Sequence, residues 1–430
     1  MISLALSMHD ARDRAPRSRH EGPLGSVPRG SRSAVTPTRR PTVVAASLAL
    51  VLAALSFPAA ASAQTPLGPP EVVFPEDFGA VHAVRELPDM RVLVADPLAR
   101  ALYVVDMEEG TRTTLGQQGQ GPREYRQPDA VWPLPADSSL LVDLGNGRLV
   151  VLGPDLGFGP TMPIAVGDPR EGPSFMLAIP QGVDDDGRIY ARSLGVGAGP
   201  GGALPDSGAV LRIDRATRAQ DTAATVKLQE RARNTSGGAN ERNVRIENVP
   251  LSPEDAWGVA PDGAVVVART GDYHVEWIEP SGQVTRGPPV PFDPVRIGTA
   301  EKEEWLLESG RGGGSIGVQM MVQNGVMSTT FSRGGGPGGP RDIDAYVWPE
   351  HKPAFHGERI VVDPRGRAWV RRHTAAGAPS TYDLFDRSGA RVSTVTLDPG
   401  TRVIGFGRDH AYAVSFDSFD LSYLERRRLP

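Results

Sequence analysis

Residues 116–132 read GQQGQGPREYRQPDAVW, and their three glycines are Gly116, Gly119 and Gly121. Glycines at this density are typical of a loop that cradles a phosphate, but such a loop must open a helix whose N-terminal N–H groups bind the anion. Pro122 follows the glycines directly and Pro128 comes soon after, so no helix begins here. There is also no Lys-Ser or Lys-Thr pair for a nucleoside triphosphate. The stretch therefore favours a structural role.

Turn residues recur along the rest of the chain between short runs of β-branched and aromatic residues, a pattern typical of strands and tight turns. Six markers of this kind are Asp89, Asp137, Asp186, Asp262, Arg365 and Arg408. They lie 48, 49, 76, 103 and 43 residues apart. The short spacings fit the four-stranded blade of a propeller, and the long ones require insertions. The sequence predicts an all-β, six-bladed β-propeller over residues 64–430, with a partly helical insertion at 292–350 between blades 4 and 5.

The last repeat, from Arg402 onward, offers only three strands. Because an open sheet edge invites pairing with other chains, propellers usually close their ring. The run EVVFP at 71–75 is suited to supply the missing outer strand. We therefore predict that the N-terminal and C-terminal strands pair.

The opening stretch, followed by LLVDLGNGRLVVL at 140–152, resembles an NHL repeat. In that family a strand is followed by Asp, two residues, Asn, one residue and Arg, and Asp143, Asn146 and Arg148 stand at those positions. Arg123 departs from the family, which usually has glycine there, and we include it among the candidate binding residues. The chain as a whole is similar to divergent NHL-like propellers of bacterial exported proteins, a group without one common activity.

Each residue of this repeat suits a structural role. The three glycines allow the chain to cross from the outer edge of one blade to the inner strand of the next, and Pro122 and Pro128 stiffen that crossing. Tyr125 is suited to pack between blades. Asp143 and Arg148 are suited to tie a β-turn through a charge-assisted hydrogen bond.

The N-terminal region has the composition of a leader followed by an export signal. Residues 1–38 are rich in Arg, Ser and Pro and are expected to be disordered, or to precede the true start. Within 39–63, two arginines precede an apolar run at 43–57 and an Ala-Ser-Ala cleavage site, which predicts a signal peptide. An uncleaved anchor is the alternative, and the twin-arginine and general export routes stay open. With no cysteine, the chain has no lipoprotein anchor, so we expect a periplasmic or secreted bacterial protein without a membrane span after cleavage.

The sequence contains no strong motif for a metal site, a nucleic-acid-binding site or a serine hydrolase. A net charge of −5 gives no electrostatic basis for nucleic-acid binding. Neither an H-E-x-x-H motif nor a cysteine is present for zinc, and DDDGR at 184–188 lacks the later ligands of a calcium loop. No G-x-S-x-G elbow occurs. We expect no cofactor, with a divalent metal in the central channel as the alternative.

The insertion is the segment most suited to carry function. TAEKEEWLLESG predicts a helix over 299–309 with Thr299 as its N-cap. Met320 and Met321 lie between glycine-rich runs, as in a lid or an adaptable binding surface, although a loop that only covers one face is equally consistent. Trp348, His351 and Lys352 follow and are candidates for the channel mouth; Trp348 also suits the core.

Two functions remain open. The first is a scaffold that binds a protein, peptide or glycan at a propeller face. The second is a metal-dependent hydrolase or lyase of lactonase type, with ligands at the inner ends of several blades. Asp255 beside Trp257, and His82, are the nearest candidates for such a site. The sequence favours binding and leaves catalysis undecided.

Overall fold

Six antiparallel sheets of four strands surround a central channel. The computed structural model describes residues 2–4, 64–166, 176–193, 205–236, 243–311, 316–323, 326–333 and 342–430. In each blade we call the innermost strand A and the outermost strand D. The A strands contact one another in a closed ring from blade 1 through blade 6 and back to blade 1. The predicted six-bladed propeller is confirmed.

The first three blades follow one another along the chain, each listed here from strand A to strand D. Blade 1 consists of Val84–Glu86, Val92–Asp96, Ala101–Asp106 and Thr111–Thr114. Blade 2 consists of Pro128–Pro133, Ser139–Asp143, Arg148–Leu152 and Phe158–Pro163. Blade 3 consists of Gly182–Val183, Ile189–Arg192, Ser207–Ile213 and Gln220–Lys227.

The last three blades repeat the arrangement, and two of them take strands from the N-terminal segment. Blade 4 consists of Ala256–Val259, Val265–Arg269, His274–Ile278 and Val284–Arg286. Blade 5 consists of Val361–Val362, Ala368–Arg372, Ser380–Phe385 and Arg391–Leu397, with Gln64–Pro66 added in parallel outside strand D. Blade 6 consists of Arg402–Phe406, His410–Phe416, Ser422–Arg428 and, outermost, Val72–Val73.

The predicted closure of the ring is confirmed. Val72 and Val73 pair antiparallel with Arg426 and Glu425, so the fourth strand of the last blade comes from the N-terminal segment. The pairing extends to Phe74, whose N–H donates to the carbonyl of Leu424 at 2.9 Å. This segment thus covers the edge that blade 6 would otherwise expose.

All six turn markers of the sequence fall at the same place, the hairpin between strands A and B. Gly263 shows the physical reason. Its φ of +85° lies in the left-handed region, and its N–H closes the turn on the carbonyl of Ala260 at 2.9 Å. The repeat was therefore detectable because turn chemistry is local.

Apolar side chains fill the contacts between blades. The described residues form six hydrophobic clusters, one at each interface between neighbouring blades. Trp369, Tyr382 and Leu384 of blade 5, for example, pack with Ala411 and Ala413 of blade 6. Burial between sheets, rather than within one central core, holds the ring together.

Several elements lie outside the blades. Between blades 3 and 4 is a hairpin of Arg231–Ser236 and Asn243–Asn248. Between blades 4 and 5 are the helix Thr299–Gly310, a hairpin of Ile316–Gln323 and Val326–Arg333, and a 3-10 turn at Ile343–Ala345. The short strand Ile2–Leu4 runs parallel to Ile316–Gln323. Three brief segments complete the described elements: the pair Gln117–Gln118 with Glu124–Tyr125, the pair Ala165–Val166 with Met176–Leu177, and the 3-10 turn Leu144–Asn146.

The helix Thr299–Gly310 agrees with the predicted helix over 299–309, but its N-cap lies one residue earlier than predicted. Its N-cap is Gly298, whose N–H donates to Glu301 Oε2 at 3.0 Å, so Thr299 as the cap was wrong. No helix among the described residues is long and apolar enough to cross a membrane. The predicted leader at 1–38, apart from Ile2–Leu4, and the predicted signal peptide at 39–63 lie outside the described residues.

Candidate functional site

Charged side chains gather at one end of the channel, where the A strands begin. We call this end the mouth. The residues that immediately precede or open strand A in five blades are ionisable there: His82, Asp129, Glu254, Glu358, Arg359 and Arg402. Strands B end at the same face, which brings Arg371 beside them.

Arg359 reaches across the channel. Its guanidinium lies over the ring of Trp132 in blade 2, with 4.9 Å between guanidinium carbon and ring centroid, and Nη2 donates to the carbonyl of Ile404 in blade 6 at 2.7 Å. Burial lowers its pKa to about 10. The side chain forms no ion pair with a carboxylate among the described residues. Its direct contacts in the described residues are therefore a carbonyl and an aromatic face, and the charge of Glu358 acts on it without an ion pair.

The A strands approach one another too closely for side chains between them. A Cβ added at Gly258 would stand 2.0 Å from the carbonyl oxygen of Ile360. At Gly182 it would stand 2.8 Å from a methyl group of Val259. At these two positions glycine therefore lets the A strands of neighbouring blades pack closely around the channel.

On the blade 2 side, the insertion docks directly on the mouth. Arg333, the last residue of the hairpin, ion-pairs with Asp129, donating from Nη2 to Oδ2 at 3.0 Å. Gln127 bonds to both backbone groups of Arg333, at 3.0 Å and 2.9 Å. Phe331 and Ile316 pack into the apolar cluster between blades 2 and 3.

His82 lies beside this pair and is held neutral. Burial, reinforced by the charge of Arg333, lowers the pKa of His82 to about 3. Its Nε2 atom is buried and has no hydrogen-bond partner in the described part of the chain. A buried polar atom without a partner is costly, and such atoms are frequent where a ligand binds.

Glu254 stands on the blade 4 side. Its side chain is 14% exposed, and its nearest cation is Arg192, 3.8 Å away. Burial raises the pKa of Glu254 to about 7. The carboxyl rests on Gly357, where an added Cβ would stand 2.1 Å from the carboxyl carbon. The mouth therefore holds a carboxyl group that exchanges its proton near neutral pH.

On the side of blades 5 and 6, two arginines lie side by side. Arg371 donates to Glu308 Oε1 at 2.7 Å and lies 3.6 Å from Glu358. Although burial opposes it, these two carboxylates raise the pKa of Arg371. Arg402 has no ion pair with a carboxylate within the described ranges; burial and the charge of Arg371 lower its pKa.

The helix of the insertion covers this arginine pair. Lys352, 5% exposed, donates to Glu304 at 3.1 Å and to the carbonyl of Thr374 at 2.9 Å. Glu304 and Glu301 also accept the N–H groups of Gly377 and Ala376. The insertion therefore contacts the mouth from two sides, blade 5 and blade 2, which identifies the face that it covers.

Two histidines stack under the same helix. The rings of His356 and His373 have centroids 3.7 Å apart. Burial, with the charges of Arg371 and Lys352, lowers both pKa values well below the ordinary range, and His373 lowers that of His356 further. They therefore stay neutral around pH 7. No group of three or more His, Asp or Glu side chains with metal-binding geometry occurs among the described residues.

Of the predicted binding residues in and after the insertion, Lys352 lies at the mouth. Trp348 instead packs on the helix, in a three-ring cluster with Trp305 and Tyr346 whose centroids are 5.2–5.8 Å apart. His351 is exposed. Met320 and Met321 lie on the hairpin strand, and their side chains fall outside what the structure describes.

The remaining candidates have structural surroundings. Trp257 is 3% exposed within the apolar cluster between blades 3 and 4. Asp255 accepts the backbone N–H groups of Lys227 and Thr270 at 2.9 Å and an ion pair from Arg269 at 3.0 Å. Arg123 is exposed on the crossing between blades 1 and 2. These contacts account for Trp257 and Asp255 without a ligand.

The glycines of the opening stretch lie on that same crossing, away from the mouth. Gly116 has a φ of +76°, and a Cβ there would stand 2.7 Å from the ring of Phe158. At Gly119 an added Cβ would stand 2.0 Å from a carboxylate oxygen of Glu124. Gly121 donates its N–H to the same carboxylate, to Oε2 at 2.7 Å. An anion is thus bound by this loop, but it is the protein's own glutamate rather than a phosphate.

The other residues of the repeat join blades 1 and 2. Tyr125 is 1% exposed in their shared cluster, and its hydroxyl accepts the N–H of Leu102 at 3.1 Å. Asp143 Oδ2 accepts from Arg148 at 3.2 Å and from Asn146 at 2.7 Å, while Oδ1 accepts the N–H groups of residues 126 and 127. Asp143 thus fastens the incoming crossing to its blade.

Sequence reasoning missed most of the mouth, although a signal existed. The residues that it omitted are Asp129, Glu254, Glu308, Arg333, Glu358, Arg359, Arg371 and Arg402. Counting back six to eight residues from the turn markers reaches the mouth in five blades, for example from Asp137 to Asp129 and from Asp262 to Glu254. That offset equals the length of strand A together with its turn. A charged residue six to eight positions before a turn marker therefore lies at the mouth.

The chain matches no family model and no curated protein. Among solved structures it is similar to a putative exported protein from Bacteroides fragilis NCTC 9343, at 12% identity and a TM-score of 0.40, covering 86% of this chain and 95% of that one. It is also similar to a putative gluconolactonase, at 12% identity and a TM-score of 0.39, covering 86% and 99%. A streptogramin B lyase matches at 9% identity and a TM-score of 0.36, covering 83% and 86%.

Proposed function

We propose that this chain is an exported, NHL-like propeller that binds an anionic ligand at the mouth, beneath the insertion. One observation carries the proposal: Arg359 and Arg402 are held in the mouth without a carboxylate partner in the described structure, and burial lowers the pKa of both. Glu358 acts on both cations, and Glu308 on Arg402, only through their charge, without an ion pair in the described residues. Burying a cation without a direct ionic partner is costly, so an anion that binds these guanidinium groups directly would offset that cost.

The ligand is expected to present a carboxylate or phosphate group. Arginine binds such planar or tetrahedral anions through paired N–H donors. An acidic peptide or an acidic glycan fits this chemistry and the exported location. The Nε2 atom of His82, which has no hydrogen-bond partner among the described residues, provides a neutral polar contact at the neighbouring blade 1.

Binding is tested by isothermal titration of carboxylate and phosphate compounds into wild type and Arg402→Gln. Because burial and Arg371 both disfavour the charge at Arg402, the variant should unfold at a higher temperature than wild type and yet lose the ligand. Arg428→Gln, whose side chain is 82% exposed, is the control and should match wild type in both measurements. The proposal fails if no anion of the panel binds wild type, or if Arg402→Gln binds it equally well.

A second candidate is a hydrolase or lyase, and Glu254 favours it. A carboxyl group with a pKa of about 7 is poised for general acid or base catalysis at neutral pH. Glu254→Gln should abolish turnover of a substrate lactone or ester while ligand binding persists. The metal-dependent form of this candidate is tested by thermal unfolding with EDTA and with divalent metals: a bound ion at about 100 times its Kd stabilises by about 2.7 kcal/mol.

A further inference from the structure

We propose that the space between the insertion helix and Arg371 is a carboxylate-binding subsite, occupied in this state by the protein's own Glu308. The inference rests on the proposed function and deepens it in two ways. It narrows the ligand to a carboxylate. It also makes Glu308 of the insertion a self-ligand, meaning a side chain of the protein that occupies the site until an external ligand displaces it.

Arg371 is a deeply buried cation whose donors are only partly used. Its side chain is 7% exposed, and its Nη2 donates to Glu308 at 2.7 Å. Glu358 lies 3.6 Å from Nη1, beyond hydrogen-bonding distance. Its Nε atom is buried and has no partner in the described residues. A ligand carboxylate that accepts two parallel N–H···O bonds would also use the Nε donor, which the single bond to Glu308 leaves free.

The helix that carries Glu308 is attached in a way that permits exchange. None of its residues is fully buried, and its apolar side chains Trp305 and Leu306 are only half-buried. Its contacts with the propeller are polar ones: Glu301 and Glu304 on backbone N–H groups, Glu304 with Lys352, and Glu308 with Arg371. The C-cap residue Arg311 also pairs with Asp420. The aromatic contacts of the helix, between Trp305, Tyr346 and Trp348, lie within the insertion itself.

The space beneath the helix is small while Glu308 is in place. The cavity has a volume of about 20 Å³ and is lined by polar groups that include Lys352, His356 and Arg372. That volume holds about one water molecule. A ligand carboxylate therefore binds only when Glu308 withdraws, and it then meets Arg371 together with Arg402, which has no ion pair in the described residues.

Glutarate serves as the carboxylate probe and inorganic phosphate as the competing anion, titrated into the whole protein by calorimetry. Glu308→Gln removes the self-ligand and should bind glutarate at least tenfold more tightly than wild type. Glu303→Gln, on the same helix but exposed, should bind as wild type does. In wild type, saturating glutarate should also increase amide exchange across 299–310, and in Glu308→Gln that exchange should already be high without ligand.

The outcomes separate the two proposals. If wild type binds glutarate and Glu308→Gln binds it no more tightly than Glu303→Gln, the self-ligand is refuted while anion binding stands. If phosphate binds and glutarate does not, the carboxylate assignment is refuted. If neither anion binds to wild type or to Glu308→Gln, anion binding at this mouth fails as well.

Discussion

Phe74 lies on the segment that closes the ring, and its replacement measures what closure contributes to stability. The side chain is fully buried in the cluster between blades 6 and 1, with its ring centroid 5.5 Å from that of Phe78. Truncating a buried phenylalanine to alanine costs about 3–5 kcal/mol, because apolar burial is lost and a cavity remains. For a folded unit that spans residues 64–430, the unfolding entropy is roughly 0.8 kcal/mol per kelvin, so Tm should fall by about 4–6 °C.

The matched control is the preceding residue of the same strand. Val73 is 47% exposed, so Val73→Ala should change stability by less than about 0.5 kcal/mol. Urea unfolding followed by tryptophan fluorescence, together with calorimetry, gives both values. Equal shifts for Phe74→Ala and Val73→Ala would refute the argument that the N-terminal segment is an integral part of blade 6.

Three further predictions concern buried polar groups. Asp143→Asn should cost about 3–5 kcal/mol in urea unfolding, since it leaves Arg148 without its carboxylate; a loss below about 1 kcal/mol would contradict this. Because the pKa of Glu254 is raised from 4.5 to about 7, the folded state binds its proton more tightly, and stability should fall by up to about 3 kcal/mol as pH rises from 4.5 to 7; Glu254→Gln should remove this fall, as measured by urea titrations across that range. The pKa of His356 is lowered, so the stability that its neutral form contributes is lost as pH drops below about 6.5, the opposite direction to Glu254. In His356→Gln the free energy of unfolding should therefore fall less with acid than in wild type. An unchanged acid profile would count against a buried neutral His356.

The architecture was accessible from the sequence because its determinants are local. A hairpin such as that at Asp262 and Gly263 needs particular residues within four positions, and the turn recurs once per blade. Closure by residues 71–75 followed from counting strands, since the last blade was one short. The N-cap of the helix was misplaced by one residue because a glycine N-cap offers no side-chain signal.

The mouth was less accessible because its residues come from several separate blades and from the insertion. Two of the A strands, Gly182–Val183 and Val361–Val362, have only two residues, too few for a period to show. The pairs that define the site join positions far apart in the chain, such as Glu308 with Arg371 and Asp129 with Arg333. Only the ring geometry brings them together.

The pairing of Val72 with Arg426 also sets the order of events in folding. Its sequence separation of 354 residues means that the last strand pair can form only after the whole propeller has been synthesised. Closing a loop of that length costs about 5 kcal/mol in chain entropy, so closure should be the slowest step and should follow assembly of the preceding blades. Until then the edge of blade 6 is open to solvent, and a newly synthesised chain depends on its own N-terminal segment to block association with a neighbour.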